Sequence, residues 1–232
     1  MVMVNSYANI FMLFFIYSIL GYIVEVISAS ITNRKFCISR GFLIGPYLPV
    51  YGFGALVITL FISKYSNDYV AVFILTMVAC CVIEYLTSYI LEKIFDLRWW
   101  DYSNRLFNLN GRINLTTGLK FGLGGFFVLK ICNPLLFRLF DVIPPKTLLI
   151  ISIILTIVMI IDTVVSSYVI ASLKIDTKQY FKKDATEEIK SKVRESLGKY
   201  RLFYSRILHA FPYLSLDDKK FEKIKRFIRR KK

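Results

Sequence analysis

The sequence predicts an all-α, polytopic membrane protein with about five transmembrane helices, and three observations lead to this prediction. Of the 232 residues, 56% are hydrophobic and 16% are aromatic, which is more apolar surface than one soluble core can bury. The apolar residues fall into windows of about 20, the length of a helix that crosses a bilayer. The net charge of +15 is concentrated at the C-terminus.

The apolar windows divide the chain into a transmembrane domain, residues 1–173, and a basic cytoplasmic tail, residues 174–232. The expected spans are 9–33, 40–63, 69–93, 113–135 and 147–172. We expect the first span to be an uncleaved helix, because it lacks the basic segment and the small-residue cleavage site of a signal peptide.

The charge distribution orients these spans. The tail holds 19 Lys or Arg against 8 Asp or Glu, and such basic segments stay in the cytoplasm. Five spans then place the N-terminus outside and put the basic connections after spans 1 and 3 inside. The amphipathic pattern of the tail predicts binding to anionic lipid. No nucleic-acid-binding motif accompanies its charge, so nucleic acid is not an expected partner.

Ionisable residues occur inside four of the spans at similar depths, roughly 12 Å from the inner side by helix rise. They are Glu25, Glu84, Lys120 and Asp162. Charged side chains inside a membrane usually face protein or water, so we expect these four to face one another. The opposite charges of Lys120 and Asp162 predict an ion pair, which leaves two glutamates.

The second span opens with RGFLIGPYLPVYGFG, which runs from Arg40 to Gly54 and contains Gly45, Pro46 and Tyr51. This density of glycine and proline predicts one of two structures. Either the helix is broken and its free backbone groups line a protein or water cavity, or small residues pack two helices closely together.

The connection after span 3 is too long and too aromatic for a plain linker. Glu92 precedes the string WWDYS, which contains Trp100, Asp101 and Tyr102. Two interpretations are open: an interfacial aromatic anchor with a tight turn at Asn110 and Gly111, or a loop folded back to line a site.

Span 1 and span 3 also show a faint internal similarity. Aligning Glu25 with Glu84 places Arg34 over Lys93 and Phe36 over Phe95 without a gap. Both spans run in the same direction, so the match predicts a parallel two-helix repeat of the kind found in some transporters.

Metal and cofactor chemistry is not expected. The four cysteines lack metal-ligand spacing, and one histidine, His209, cannot supply a zinc site or a catalytic triad.

Four strings carry a resemblance to a known family: GYIVEV (21–26), RGFLIGPYLPVYGFG (40–54), IEYLTSYILEKIFDLRWWDYS (83–103) and FNLNGRINL (107–115). Through them the chain resembles the family called "putative ABC-transporter type IV", the CmpB-like permeases of bacteria, over roughly residues 10–135. The resemblance implies a multi-spanning plasma-membrane protein that acts as a transporter permease. Asn114 stands where the family favours Cys. The family supplies no established catalytic residues to carry over.

The chain contains no G-x-x-x-x-G-K-[ST] phosphate loop, so any ATP hydrolysis would come from a separate ATPase subunit. Five spans are few for a monomeric transporter, so we expect that the chain could form a homodimer.

Three functions are consistent with these features. In the first, a permease-like component, Glu25 and Glu84 bind a cation, a proton or a cationic substrate, while Arg40, Arg112 and Asp101 form a cytoplasmic gate. The second is an intramembrane enzyme that acts on a lipid or isoprenoid-linked substrate, with Glu84 as general base and the two arginines on a phosphate. The third is a non-catalytic scaffold in which buried charges fix helix register. Across these functions the candidate site residues are Glu25, Arg40, Gly45, Pro46, Tyr51, Glu84, Glu92, Trp100, Asp101, Tyr102, Asn108, Arg112, Lys120 and Asp162.

Overall fold

A computed structural model of the chain describes residues 7–34, 36, 41, 43–95 and 98–180, with the backbone alone for residue 33 and for 172–180. Arg40 and the predicted amphipathic helices of the tail lie outside the described residues. Within them the chain is mostly helical.

The helices follow one another with short connections, apart from two longer segments. They are α1 (Tyr7–Asn33), α2 (Pro49–Val57), α3 (Tyr69–Phe95), α4 (Leu115–Phe127), α5 (Asn133–Val142) and α6 (Pro145–Tyr180). A π-helical turn, Ile58–Ile62, continues α2 into a short 3₁₀ turn, Ser63–Tyr65, and a second π-helical turn, Val128–Cys132, joins α4 to α5. The 98–114 loop between α3 and α4 contains a two-stranded hairpin of β1 (Asn108–Leu109) and β2 (Ile113–Asn114).

Among the described residues, four helices are long and apolar enough to cross a membrane: Tyr7–Thr32, Tyr69–Phe95, Leu115–Val142 and Pro145–Ala171. They agree with the predicted spans 9–33, 69–93, 113–135 and 147–172. The predicted span 40–63 is wrong in its extent. Its helix begins only at Pro49, and the apolar segment Pro49–Tyr65 rises about 25 Å, less than the roughly 30 Å of a bilayer core.

Helix α3 shows most clearly that lipid is the solvent, because its burial pattern is inverted relative to a soluble helix. Its buried positions include Thr76, Cys80, Glu84 and Ser88, each four residues from the next. Its exposed positions are large and apolar: Val70, Ile74, Leu75, Val78, Val82, Leu86, Ile90 and Ile94. Polar groups inside and aliphatic groups outside are the arrangement expected of a helix that faces acyl chains.

Small residues bring the helices together in two pairs, α1 with α2 and α3 with α4. A Cβ added at Gly52 of α2 would lie 2.4 Å from the Ser18 hydroxyl of α1. In α4, the buried Gly118, Gly122 and Gly125 pack against α3 in the same way. Each alternative for the start of span 2 is therefore met in part: residues 43–48 are not helical, and the helix that begins at Pro49 packs closely.

Candidate functional site

Glu25 lies on the face of α1 that packs against α2, where it meets Tyr51. The Tyr51 hydroxyl donates to Oε1 of Glu25 at 2.6 Å. Gly21, one turn earlier on α1, makes this contact possible, since a Cβ there would lie 2.3 Å from Cγ of Tyr51. The absent side chain lets the tyrosine ring lie against the α1 backbone and reach the carboxylate.

Glu84 is the most deeply placed acid of the site, with a side chain on the inner face of α3. Glu84 is 8% exposed, and its Oε1 accepts a hydrogen bond from the Tyr102 hydroxyl at 3.2 Å. The other oxygen, Oε2, is buried and has no hydrogen-bond partner among the residues that the structure describes. A buried carboxylate oxygen without a donor is costly, so this atom needs a functional explanation.

The two tyrosine–glutamate pairs form one cluster, which we call the tyrosine–glutamate cluster: Glu25, Tyr51, Glu84 and Tyr102. Glu25 interacts electrostatically with Glu84, and both glutamates interact electrostatically with the Tyr51 hydroxyl. Burial, followed by the charges of Glu84 and Glu25, raises the pKa of the Tyr102 hydroxyl, which stays a hydrogen-bond donor. The structure thus brings together the two glutamates that depth alone paired in the sequence.

The 98–114 loop folds back over the end of α3, as in the second interpretation of this segment, and it also contains the tight turn of the first. Trp100 donates from Nε1 to the carbonyl of Arg112 at 2.9 Å, and the Tyr102 amide donates to the carbonyl of Gly111 at 2.7 Å. Trp99 is only 2% exposed and packs edge-to-face on Phe95, so it is not part of an exposed aromatic belt. This folding delivers the Tyr102 hydroxyl to Glu84.

The loop is closed by a tight turn that the sequence predicted. Asn110 and Gly111 have φ values of 53° and 65°, and the Arg112 amide donates to the Leu109 carbonyl across them. A side chain at Gly111 would also collide with Asp101 and Ser103. Asn108 supports the turn from inside, donating to the Arg105 carbonyl at 2.7 Å and accepting from the Gly111 amide at 3.0 Å. Its role in the structure is to shape the loop.

Charged residues at the mouth of the cluster pair with one another. Arg112 lies 2.5 Å from Glu92, and this hydrogen bond raises the pKa of the Arg112 guanidinium. Arg112 also reaches the Ser88 hydroxyl at 3.4 Å, one turn from Glu84 on α3. Arg98 bridges Glu92 and Asp101. A network of two arginines and two acids therefore covers the C-terminal end of α3, about two helical turns from Glu84.

Asp101 belongs to that network as a turn former. Its Oδ1 accepts from both the amide and the hydroxyl of Ser103, at 2.9 and 2.5 Å. The Ser103 hydroxyl and then its amide lower the pKa of the Asp101 carboxyl, with a further contribution from Arg98.

Asp162 of α6 is held by the 43–48 segment, away from Lys120. Its Oδ1 accepts from the Ile44 amide and from Ser166 of its own helix, and its Oδ2 accepts from the Gly45 amide and Tyr47, at 2.5 to 2.9 Å. The predicted Lys120–Asp162 pair is wrong. Lys120 is exposed, and none of the three ion pairs among the described residues includes it. The buried face of α4 is the one with Gly118, Gly122 and Gly125, and Lys120 lies away from it.

The remaining candidates in this segment have smaller roles in the structure. Gly45 supplies an amide to Asp162, and Pro46 next to it is exposed.

A second buried polar cluster was missed by sequence reasoning. Tyr17 donates to Oδ1 of Asn133 at 2.6 Å, and Asn133 donates to the Thr59 hydroxyl at 3.1 Å. Thr59 lies in the first π-helical turn, and Asn133 directly follows the second. Such turns often occur at functional positions, although here every member is hydrogen-bonded. The signal that could have found the polar interior is the four-residue spacing of Thr76, Cys80, Glu84 and Ser88.

Long apolar helices and an inverted burial pattern define the chain as a helical membrane protein. Comparison with known families agrees, because the sequence model of the family described as "Putative ABC-transporter type IV" (ABC_trans_CmpB) matches residues 12–167. The chain belongs to this family. No curated protein and no solved structure matches the chain.

Proposed function

We propose that this chain is the permease-like component of a transporter, a multi-pass protein of the plasma membrane whose tyrosine–glutamate cluster is the transport site. In this proposal the cluster binds a cation, a proton or a cationic substrate. The observation that carries it is the placement of Glu84. Its carboxylate is 8% exposed inside an otherwise lipid-facing helix bundle and lies within electrostatic reach of Glu25 on another helix. Intramembrane acids of this kind are typical of ion and proton pathways.

The orientation of the site follows from the Lys/Arg asymmetry of the sequence. Two stretches of the sequence, 34–48 and 93–114, hold most of the basic residues outside the tail, and the second includes the loop that brings Tyr102 to the cluster. Basic connections stay cytoplasmic, so the cluster opens toward the inner side and the N-terminus is outside. The Pro49–Tyr65 segment then serves as a short fifth crossing.

The gate is the charged network at the mouth of the cluster. Arg112 and Asp101 belong to it through their contacts with Glu92 and Arg98. Arg40, which sequence analysis assigned to the same gate, lies outside the described residues. Opening the network would expose Ser88 and then Glu84 from the cytoplasmic side.

Partners follow from the family and the composition. The ABC-transporter family suggests a separate ATPase subunit. A homodimer would give a chain of this size a larger pathway, and the basic tail would bind anionic lipid. The two-helix repeat stays a prediction, supported by the pairing of α1 with α2 and α3 with α4, in which α2 and α4 each run into a π-helical turn.

The alternative of an intramembrane enzyme acting on a lipid head group has less support. It needs Arg112 to hold a phosphate, but this guanidinium already lies 2.5 Å from Glu92. The scaffold alternative explains Asp162 well, because that carboxylate is fully hydrogen-bonded. It does not explain the unpartnered Oε2 of Glu84.

The test is flux through liposomes that contain the protein with its co-purified ATPase. The probes are an entrapped pH dye, rubidium ions and a labelled organic amine. We expect at least one flux to be lost in Glu84→Gln and in Glu25→Gln. Asp141→Asn is the matched control, since it removes an exposed carboxylate of α5. Flux that survives both glutamate changes would remove the cluster from the mechanism.

A further inference from the structure

The buried oxygen Oε2 of Glu84 identifies what the cluster binds. It has less than 1 Å² of exposed surface, on a residue that is 8% exposed, and no described residue donates to it. The partner oxygen Oε1 has one donor, Tyr102, at 3.2 Å. A fully charged carboxylate at this place would lack most of the hydrogen bonds that stabilise buried charge.

The groups around Glu84 do not neutralise it. The titratable side chains that act on it or are acted on by it are Glu25 from α1, Tyr51 from α2, Tyr102 from the loop, and Cys80 and Cys81 on α3. Each is either neutral or negative. On the neighbouring helices, Lys120 of α4 is exposed and Asp162 of α6 is bound to the 43–48 segment.

Arg112, which contacts Ser88 one turn from Glu84, is also engaged elsewhere. Arg112 pairs with Glu92 at 2.5 Å and reaches only as far as Ser88, at 3.4 Å. Glu84 is therefore a buried acid with an acidic neighbour and no basic partner among the described residues.

We propose that Oε2 of Glu84 is a proton-binding site and that a proton is the ion the tyrosine–glutamate cluster takes up. A metal ion needs several ligands around it, and the described residues contain no group of three or more His, Cys, Asp or Glu that could hold one. A proton needs a single oxygen. Bound there, it removes the buried charge, relieves repulsion with Glu25, and leaves Oε1 to accept from Tyr102. The proposal rests on the proposed role of the cluster as the transport site.

Protons would reach this oxygen along the inner face of α3. Ser88 is one turn from Glu84 toward the 98–114 loop and touches Arg112. Thr76, two turns beyond Glu84 in the other direction, is 0% exposed, and its hydroxyl also lacks a hydrogen-bond partner among the described residues. The buried face of α3 thus carries polar groups on both sides of the acid.

The test measures proton binding directly. The full-length protein, with ¹³C-labelled glutamate, is placed in lipid bilayers, and its infrared spectrum is recorded as the pH falls from alkaline to mildly acidic. Exposed glutamates stay ionised until about pH 4.3, so they remain silent over most of this range. We expect a labelled carboxylic-acid carbonyl band that grows with falling pH, is lost in Glu84→Gln and is kept in Glu25→Gln.

A second pair of variants keeps the test decisive if Glu84→Gln fails to fold. Tyr102→Phe removes the donor to Oε1 and so favours the protonated acid; the band should persist to higher pH by roughly one unit. Tyr89 is an exposed tyrosine of α3, the helix that carries Glu84, and Tyr89→Phe should leave the titration unchanged.

The opposing results are equally distinct. No band, or a band that disappears in Glu25→Gln instead of Glu84→Gln, overturns the assignment. So does a carboxylate signal of Glu84 that responds to added sodium or potassium at constant pH. Because the measurement needs no transport, its failure differs from failure of the proposed function. A glutamate-dependent flux without the band would support the cluster as the transport site and overturn the protonation of Glu84. The band without such a flux would support the protonation of Glu84 and overturn the transport role of the cluster.

Discussion

Asp162 and Glu84 are both carboxylates on long apolar helices, but their surroundings differ. Asp162 receives four hydrogen bonds, two from backbone amides, one from Tyr47 and one from Ser166. Glu84 is more buried and receives one, from Tyr102. Four donors are enough to hold a charge permanently, so Asp162 fixes the 43–48 segment on α6. One donor is not, so Glu84 is suited to changing its charge.

The contrast separates structural from functional acids in this bundle without reference to their depth. Both acids lie on helices that the sequence predicted as membrane spans, where a charge costs free energy. Only the count of donors distinguishes them. The following changes test whether that count has the consequences we assign to it.

The largest effect on stability should follow from Asp162→Ala. The change leaves the amides of Ile44 and Gly45 without their acceptor, and we expect the free energy of unfolding to fall by about 3 kcal/mol. Equilibrium unfolding in mixed micelles measures it. Asp141→Ala, which removes an exposed carboxylate, should change stability by less than about 0.5 kcal/mol. Equal losses for the two variants would contradict the role of Asp162 as a latch.

The next effect concerns the close approach of α1 and α2 that lets Tyr51 reach Glu25. Gly21→Ala places a Cβ within 2.5 Å of both Cβ and Cγ of Tyr51, atoms too near the backbone to rotate away. Helices α1 and α2 must separate, at a cost of roughly 1 to 3 kcal/mol. Gly124→Ala is the matched control, because its added Cβ meets nothing within 4 Å. If thermal unfolding does not distinguish the two, Tyr51 is not packed as described.

A smaller effect on stability is expected from Glu84→Gln. Gln keeps the shape and an oxygen that accepts from Tyr102, and it removes a buried charge that has an acidic neighbour. Such replacements are often neutral, so the free energy of unfolding should change by less than about 1 kcal/mol. The same unfolding assay decides. A loss as large as that of Asp162→Ala would mean that Glu84 is also a structural charge.

The smallest effect lies in the 98–114 loop. Hydrogen bonds from Ser103 lower the pKa of Asp101, so their stabilisation is present above the ordinary carboxyl value of about 4 and is lost as the pH falls through the lower folded value. The Ser103 amide should therefore lose protection at acid pH, so that its hydrogen exchange is faster, relative to the intrinsic rate at the same pH, than at neutral pH. Asp101→Asn should abolish that acceleration. If it persists in the variant, another acid is responsible.

Much of this architecture could be predicted because lipid imposes simple rules. Length and hydropathy located four helices, although the one predicted as 113–135 extends to Val142, and helix rise paired Glu25 with Glu84. The tight turn followed from Asn110 and Gly111, whose positive φ values favour this pair of residues. Each of these inferences depends only on local sequence or on depth in the membrane.

The failures concern helix rotation, long-range contacts and the start of one helix, and neither depth nor hydropathy determines these. The sequence predicts similar depths for Lys120 and Asp162, but the buried face of α4 carries its glycines and Lys120 is exposed. Span 2 was predicted too long because Gly and Pro interrupt the helix before Pro49 while the residues stay apolar. The Tyr17–Thr59–Asn133 cluster depends on two π-helical turns that hydropathy cannot detect.

The central claim is that Tyr51 and Tyr102 each hold one glutamate of a shared buried site, and solid-state NMR can test it directly. In membranes that contain protein labelled at tyrosine Cζ and the glutamate side-chain carboxyl, the account predicts two short-range tyrosine–glutamate cross-peaks. One should vanish in Tyr51→Phe and the other in Tyr102→Phe, in keeping with hydroxyl distances of 2.6 and 3.2 Å. A spectrum without these peaks, or peaks that survive both substitutions, would contradict the account.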